Sequence, residues 1–304
     1  MIATLKTMNR RRAVIALGGG GARGLAHFGV MQVVEESGFD VERIVGTSIG
    51  SLVGALSALA TDHKESSERV VAYLTADKFR ERLCSLNDAS PPRSTTIESG
   101  FTAWYSRLKS LLWSHQLMNR IVRRSAILSA SLIEDTINDL VPDIDIADCP
   151  TPLTILTLDL LSGDRVELEQ GSLRRAIMAS TAIPGIFPPV QWDGKLLCDL
   201  GVLESLPTST GRRYASDLLI AVDVAPDLMT LNQCSTALET LLRVDEISER
   251  RFRDRCLGIA DVLIRPNVGR VQWFDFANPE PIIEAGFVAA TARLSHSGYF
   301  IHDS

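Results

Sequence analysis

Cysteine is scarce in this chain of 304 residues: the five at 84, 149, 198, 234 and 256 are odd in number, widely scattered and never in a CxxC pair. Neither a disulfide framework nor a zinc site is indicated, and a reducing, cytoplasmic setting is expected. Long apolar runs are missing too, so no segment reads as a bilayer span. The opening Met1–Arg12 is basic but lacks the apolar stretch of a signal peptide, and it is expected to form a basic arm ahead of the first strand. Nor is positive charge in excess. With 31 Lys and Arg against 37 Asp and Glu, the formal net charge is −6, which argues against a surface built for nucleic acid. Internal repeats and low-complexity tracts are absent. What remains is 45% apolar and 22% charged, enough to bury a substantial core in one large domain or two small ones.

The first sixty residues are the most legible. Ala13–Leu17 is a short apolar run ending in glycines, as in a buried parallel strand, and Leu25–Ser37 follows with helical spacing through Phe28, Val30 or Met31, and Val34. Gly38 marks the helix end. Val41–Val45 reads as a second strand, and Leu52, Val53, Leu56 and Leu59 resume helical spacing. A right-handed β-α-β crossover makes the two strands parallel. The glycine-rich loop after the first strand and the turn Gly46–Gly50 after the second therefore open on one edge of the sheet, where open α/β folds bind ligands.

Residues 64–140 read as a helical insertion with a polar, proline-bearing break at Asn87–Thr96. Strands are expected at Leu153–Asp159 and Arg165–Glu169, joined through Ser162-Gly163-Asp164, and a short helix at Ser172–Ala179. Ile183–Val190 holds three prolines and a glycine, which excludes regular helix and predicts a rigid loop. Asp193-Gly194 predicts a hairpin between Gln191-Trp192 and Leu196–Cys198. Further strands at Asp217–Val224 and Val262–Arg265, and helices at Ser235–Leu257 and Pro281–Leu294, complete the pattern.

Gly46-Thr47-Ser48-Ile49-Gly50 matches G-x-S-x-G between a strand and a helix, the context of a nucleophile elbow. A helix cap at Thr47 or Ser48 is the alternative. In Gly18–Gly24, glycines 19, 20, 21 and 24 expose backbone N–H groups that could hold an oxyanion. The rival is a dinucleotide fingerprint, Gly19-x-Gly21-x-x-Gly24, but the acidic residue it wants at the end of the second strand is replaced by Gly46-Thr47-Ser48. A Walker loop is excluded because no Gly-Lys-Ser/Thr follows. For a histidine partner, His27, His63 and His115 lie in helical segments and read as solvated or structural. Ser48, Asp223 and His296 fall in the chain order of an α/β-hydrolase triad, although that fold places its elbow later in the sheet.

Three ordered blocks carry a more specific signal: Leu17–His27 (LGGGGARGLAH), Gly46–Gly50, and Ser180–Pro189 (STAIPGIFPP) leading to Asp199-Leu200-Gly201-Val202-Leu203. Together they make the chain resemble the patatin-like phospholipase family, particularly its small bacterial members. The resemblance implies a three-layer α/β/α fold with a mostly parallel central sheet, 13–304 forming a single acyl hydrolase domain. It implies a Ser-Asp dyad acting on lipid acyl esters through an acyl-serine, with no histidine, metal or cofactor. Ser48 falls on the nucleophile and Asp199 on the base. Gly19, Gly20, Gly21, Arg23 and Gly24 fall on the oxyanion loop, and Gly46 and Gly50 frame the elbow. Arg23 is expected to support the loop through an ion pair ahead of touching substrate, and Pro184 and Gly185 to be scaffolding. One position departs from the family pattern: Leu200 stands where Gly follows the aspartate. A left-handed backbone there would cost leucine about 1–2 kcal/mol; otherwise Leu200 narrows the site or extends the strand. A catalytically silent lipid-binding relative is the alternative function.

Between Phe101 and Ser125, Arg107, Lys109, Arg120, Arg123 and Arg124 occur with no acid, and Phe101, Trp104, Tyr105, Leu108, Leu111 and Leu112 fall at helical spacings. This is either an interfacial helix giving peripheral contact with the inner membrane surface, or a helix covering the core with a solvated basic face.

Overall fold

The computed structural model describes residues 10–87, 126, 128–231, 233–269 and 271–296. The basic stretch Phe101–Ser125 lies outside the described residues. The first elements are β1 (Arg12–Leu17), a 3-10 turn (Gly21–Leu25), α1 (Ala26–Glu36), β2 (Asp40–Thr47) and α2 (Ile49–Leu59). Helices α3 (His63–Thr75), α4 (Asp77–Asn87) and α5 (Ser131–Leu140) are the described part of the expected insertion. Next come β3 (Leu153–Asp159), β4 (Arg165–Leu168), α6 (Leu173–Thr181), β5 (Val190–Trp192), β6 (Lys195–Cys198) and a 3-10 turn at Leu200–Val202. The chain continues through α7 (Thr208–Gly211), β7 (Leu218–Val222), α8 (Ala237–Leu257), β8 (Val262–Ile264) and α9 (Pro279–His296).

The strands form one sheet in the order β5-β6-β3-β2-β1-β7-β8, with β4 paired to β3 off this path. Its centre is parallel: β1 pairs with β2 and β7, β2 with β3, and β7 with β8. The antiparallel pairs β3–β4, β3–β6 and β5–β6 gather at one side.

Strand β1 shows why its run is continuously apolar. Ala13, Ile15 and Leu17 point into one core, with Phe28, Val30 and Met31 of α1, Val53 and Leu56 of α2 and Ile282 of α9. Val14 and Ala16 point into the other, with Leu219 and Ala221 of β7 and Cys256 of α8. A strand buried on both faces needs no polar alternation, and helices on both faces give the three-layer α/β/α arrangement. Gly38, at φ +69°, ends α1 as a left-handed terminator. The β5–β6 hairpin turns through Asp193 and Gly194, both at positive φ, as the Asp-Gly pair predicts. No helix among the described residues is long and apolar enough to cross a membrane.

Candidate active site

Strand β2 runs two residues further than its apolar pattern suggests, and α2 begins at Ile49 rather than Leu52, so Ser48 alone makes the turn. Its φ of 55° and ψ of −127° are strained for a residue with a side chain, at a cost on the order of 1–3 kcal/mol. The surroundings hold it there. The Ser48 N–H donates to Ser180 Oγ at 3.0 Å, and the Ser180 hydroxyl donates to the Leu156 carbonyl at 2.8 Å. The Ser48 carbonyl accepts from the Ser51 hydroxyl at 2.6 Å and the Ser51 N–H at 2.8 Å. Both flanking glycines are required by space. A Cβ on Gly46 would lie 2.4 Å from the Gly50 carbonyl oxygen, and one on Gly50 would lie 2.3 Å from that of Leu17. The Ser48 side chain makes no capping hydrogen bond to α2, so capping does not account for it.

Asp199 follows β6 and is 3% exposed. Its N–H donates to the Ala182 carbonyl at 3.0 Å, and its Oδ1 accepts the Gly201 N–H at 2.7 Å. The Ser48 hydroxyl lies close enough to the same carboxylate to favour its charged form. Burial pushes the Asp199 carboxyl up from 3.8 to about 6, against the opposing pull of the Ser48 hydroxyl and the Gly201 N–H. Gly201 stands between the two side chains: a Cβ on it would lie 2.9 Å from Asp199 Oδ1 and 3.8 Å from Ser48 Cβ. Leu200 opens the 3-10 turn, and the positive-φ non-glycine residues among those described are Ser48 and Asp193. The strain considered for leucine is therefore absent. Leu200 is buried in the second core with Val45, Leu156 and Cys198.

The glycine loop is tied down at each step. Gly18 N–H donates to the Val222 carbonyl at 3.1 Å, Gly19 N–H to that of Ser205 at 2.7 Å, and Ala22 N–H to that of Trp273 at 2.6 Å. Gly19 is expected from its sequence position to face an oxyanion, but its N–H is committed to Ser205. The N–H groups of Gly20 and Gly21 have no such carbonyl partner among the described residues. A Cβ on Gly24 would lie 2.2 Å from Ile49 Cγ2, so this glycine lets the 3-10 turn pack on α2. Arg23 Nε donates to the Gly20 carbonyl at 3.2 Å. It thus braces the loop through a carbonyl where an ion pair is expected from the sequence. Burial first, and then the neighbouring Arg253, lower the Arg23 pKa to about 10. His27 is fully buried, with Nε2 at 2.8 Å from the Gly18 carbonyl oxygen. Burial lowers its pKa to about 4, so the ring is neutral and its Nε2–H is the donor.

The acid of the alternative triad has other partners. Asp223 meets Arg253 at 3.0 Å and Arg265 at 3.1 Å, one guanidinium on each oxygen, so its carboxylate is already spoken for. Side-chain contacts of His296, and all of His115 and His302, lie outside the described residues. Among the described residues no group of three or more His, Cys, Asp or Glu is placed to hold a metal ion. Burial pushes the Cys198 thiol up to about 12, which keeps it protonated beside Asp199.

Ser180 and Ser205 are the site residues that sequence patterns leave without a role. Ser180 lies in the STAIPG block, but its contact with Ser48 joins positions far apart in the chain and has no local signature.

Residues 15–210 match the family model described as Patatin-like phospholipase. The chain belongs to the patatin-like phospholipase family. An uncharacterized NTE family protein of Mycobacterium tuberculosis is 33% identical over 213 residues, covering 70% of this chain and 49% of the relative. The neuropathy target esterase sws of Drosophila melanogaster is 30% identical over 212 residues, covering 69% of this chain and 13% of that protein. The chain thus spans about half the length of the mycobacterial relatives it matches. Among solved structures, VipD from Legionella pneumophila is similar at a TM-score of 0.46 and 13% identity, over 94% of this chain and 67% of that one.

Proposed function

We propose that this patatin-like protein is a lipid acyl hydrolase working through a Ser48–Asp199 dyad and an acyl-serine intermediate. The observation that carries the reading is the pairing of a strained, non-capping Ser48 with a buried carboxylate whose pKa stands near 6. Serine needs a base to become a nucleophile, and a base is most useful when its pKa lies near the working pH. At pH 7 Asp199 is about nine-tenths ionised on that value. It accepts the Ser48 proton as Oγ attacks the ester carbonyl, and returns it to the departing alcohol as the tetrahedral species collapses. A water then gives its proton to Asp199 and attacks the acyl-serine, and Ser48 recovers its hydrogen when the acid leaves.

Negative charge on the carbonyl oxygen is assigned to the N–H groups of Gly20 and Gly21. The N-terminus of α2 adds its dipole directly behind Ser48. The dyad needs no imidazole, which agrees with His27 being neutral and spent on the Gly18 carbonyl.

Hydrolysis of p-nitrophenyl esters from acetate to palmitate, and of phospholipid, by the wild type, Ser48→Ala and Asp199→Asn proteins tests the reading. Both substitutions are expected to lower kcat at least a thousandfold. Binding of fatty acyl chains with no Ser48-dependent turnover would instead support the silent lipid-binding alternative.

A further inference from the structure

The glycine loop takes two of its anchors from segments that are themselves gripped by one helix. Gly18 and Gly19 donate to the carbonyls of Val222 and Ser205. The Ser205 hydroxyl donates to the Glu249 carboxylate on α8. One helical turn further, Arg253 holds Asp223, the residue after Val222, at 3.0 Å, and the Pro226 carbonyl at 2.7 Å. Arg253 is 1% exposed, and its Nε lies 3.6 Å from Glu249 Oε1. Val224, inside the span that Arg253 grips, packs against Gly20: a Cβ there would meet Val224 Cγ2 at 2.8 Å. Two charged side chains of α8 therefore reach the segments that carry two of the loop's three carbonyl anchors.

We infer that Glu249 and Arg253 are positioning residues for the glycine loop, acting through Ser205 and the 222–226 segment to aim its N–H groups at the reacting carbonyl. The inference rests on the reading of this loop as the oxyanion site. A buried pair kept only for stability would be dispensable to turnover, since apolar replacements often substitute for such pairs. A positioning pair is not dispensable. Oxyanion donors act through their alignment with the developing charge, and loss of a single donor lowers kcat by about 10²–10³. A loop that drifts on its anchors is expected to forfeit part of that factor while leaving ground-state binding intact.

The test compares Glu249→Ala, Glu249→Gln and Ser205→Ala with the wild type and Ser48→Ala, on a soluble p-nitrophenyl ester. Glutamine keeps an acceptor for the Ser205 hydroxyl. Ser205→Ala removes that bond with the smallest change in packing, and it decides the matter if Glu249→Ala does not fold. Glu249→Ala and Ser205→Ala are expected to lower kcat about tenfold or more with KM within threefold, and Glu249→Gln to recover most of the loss. Amide hydrogen exchange across residues 18–24 is expected to quicken in the two alanine variants, a readout independent of turnover. Unchanged exchange in that segment, with kcat within threefold of wild type, overturns the positioning role. Absence of Ser48-dependent hydrolysis in the wild type overturns the proposed function instead, and the loop's catalytic purpose with it.

Discussion

Replacing Asp199 by asparagine is expected to remove the activity and stabilise the fold. The carboxyl stands at about 6 in the folded protein against an ordinary value of 3.8. Between those two values the folded state keeps a proton that the unfolded chain has released. Stability is therefore lost as pH rises through the window from about 4 to 6, and stays lost above it. At ~1.4 kcal/mol per pKa unit, the ionised carboxylate opposes folding at pH 7 by on the order of 3 kcal/mol. Asparagine is not ionised and keeps a carbonyl oxygen for Gly201 and Ser48. Its amide hydrogens need an acceptor, which offsets about 1 kcal/mol or more. A net gain of about 1–2 kcal/mol remains, which raises Tm by roughly 1.5–3 °C in a protein of this size. Lowering the pH to 4.5 removes about 2 kcal/mol of the advantage, because wild-type Asp199 is then protonated in the fold. Thermal scans of both proteins at pH 7 and pH 4.5 read this directly. A lower Tm for Asp199→Asn at pH 7, or the same difference at both pH values, would refute the claim that burial strains the charged form.

Two further outcomes follow from the same geometry. The kcat/KM of the wild type is expected to be flat from about pH 7 to 8 and to fall tenfold per pH unit below about 6, as Asp199 is protonated; a pH-rate profile with no acid limb in that range contradicts the base assignment. Leu200→Gly, which restores the usual family residue, is expected to lose about 3 kcal/mol of stability with no gain in kcat, because Leu200 is buried in the second core and needs no left-handed backbone; denaturant unfolding and ester kinetics check both halves.

How far the sequence could be read depended on whether the signal was local. Ala13–Leu17 is apolar because both faces of its strand are buried, whereas in Val41–Val45 only Ile44 and Val45 are buried; right-handed crossover then fixes the two strands as parallel neighbours. The Asp193-Gly194 turn is equally local. The start of α2 was less legible, because Gly50 reads as a helix breaker while space beside the Leu17 carbonyl requires it. Ser48 is legible in its own pentapeptide, whereas Asp199 is legible only through the family resemblance, because it comes near Ser48 through the antiparallel pairing of β3 with β6, far along the chain. The glycine loop was legible as a row of donors. Which N–H groups are free depends on Ser205 and Val222, and that is a property of packing rather than of the motif. For the same reason nothing in the pattern of α8 distinguishes Glu249 and Arg253 from the other charges of a solvated helix.

The most direct test of the account is the site of covalent modification by an alkyl fluorophosphonate, mapped by peptide mass spectrometry. The account predicts one adduct on Ser48 in the wild type, none in Ser48→Ala, and labelling slowed at least a hundredfold in Asp199→Asn. An adduct on another residue, or ester hydrolysis that persists at full rate with Ser48 removed, would contradict it.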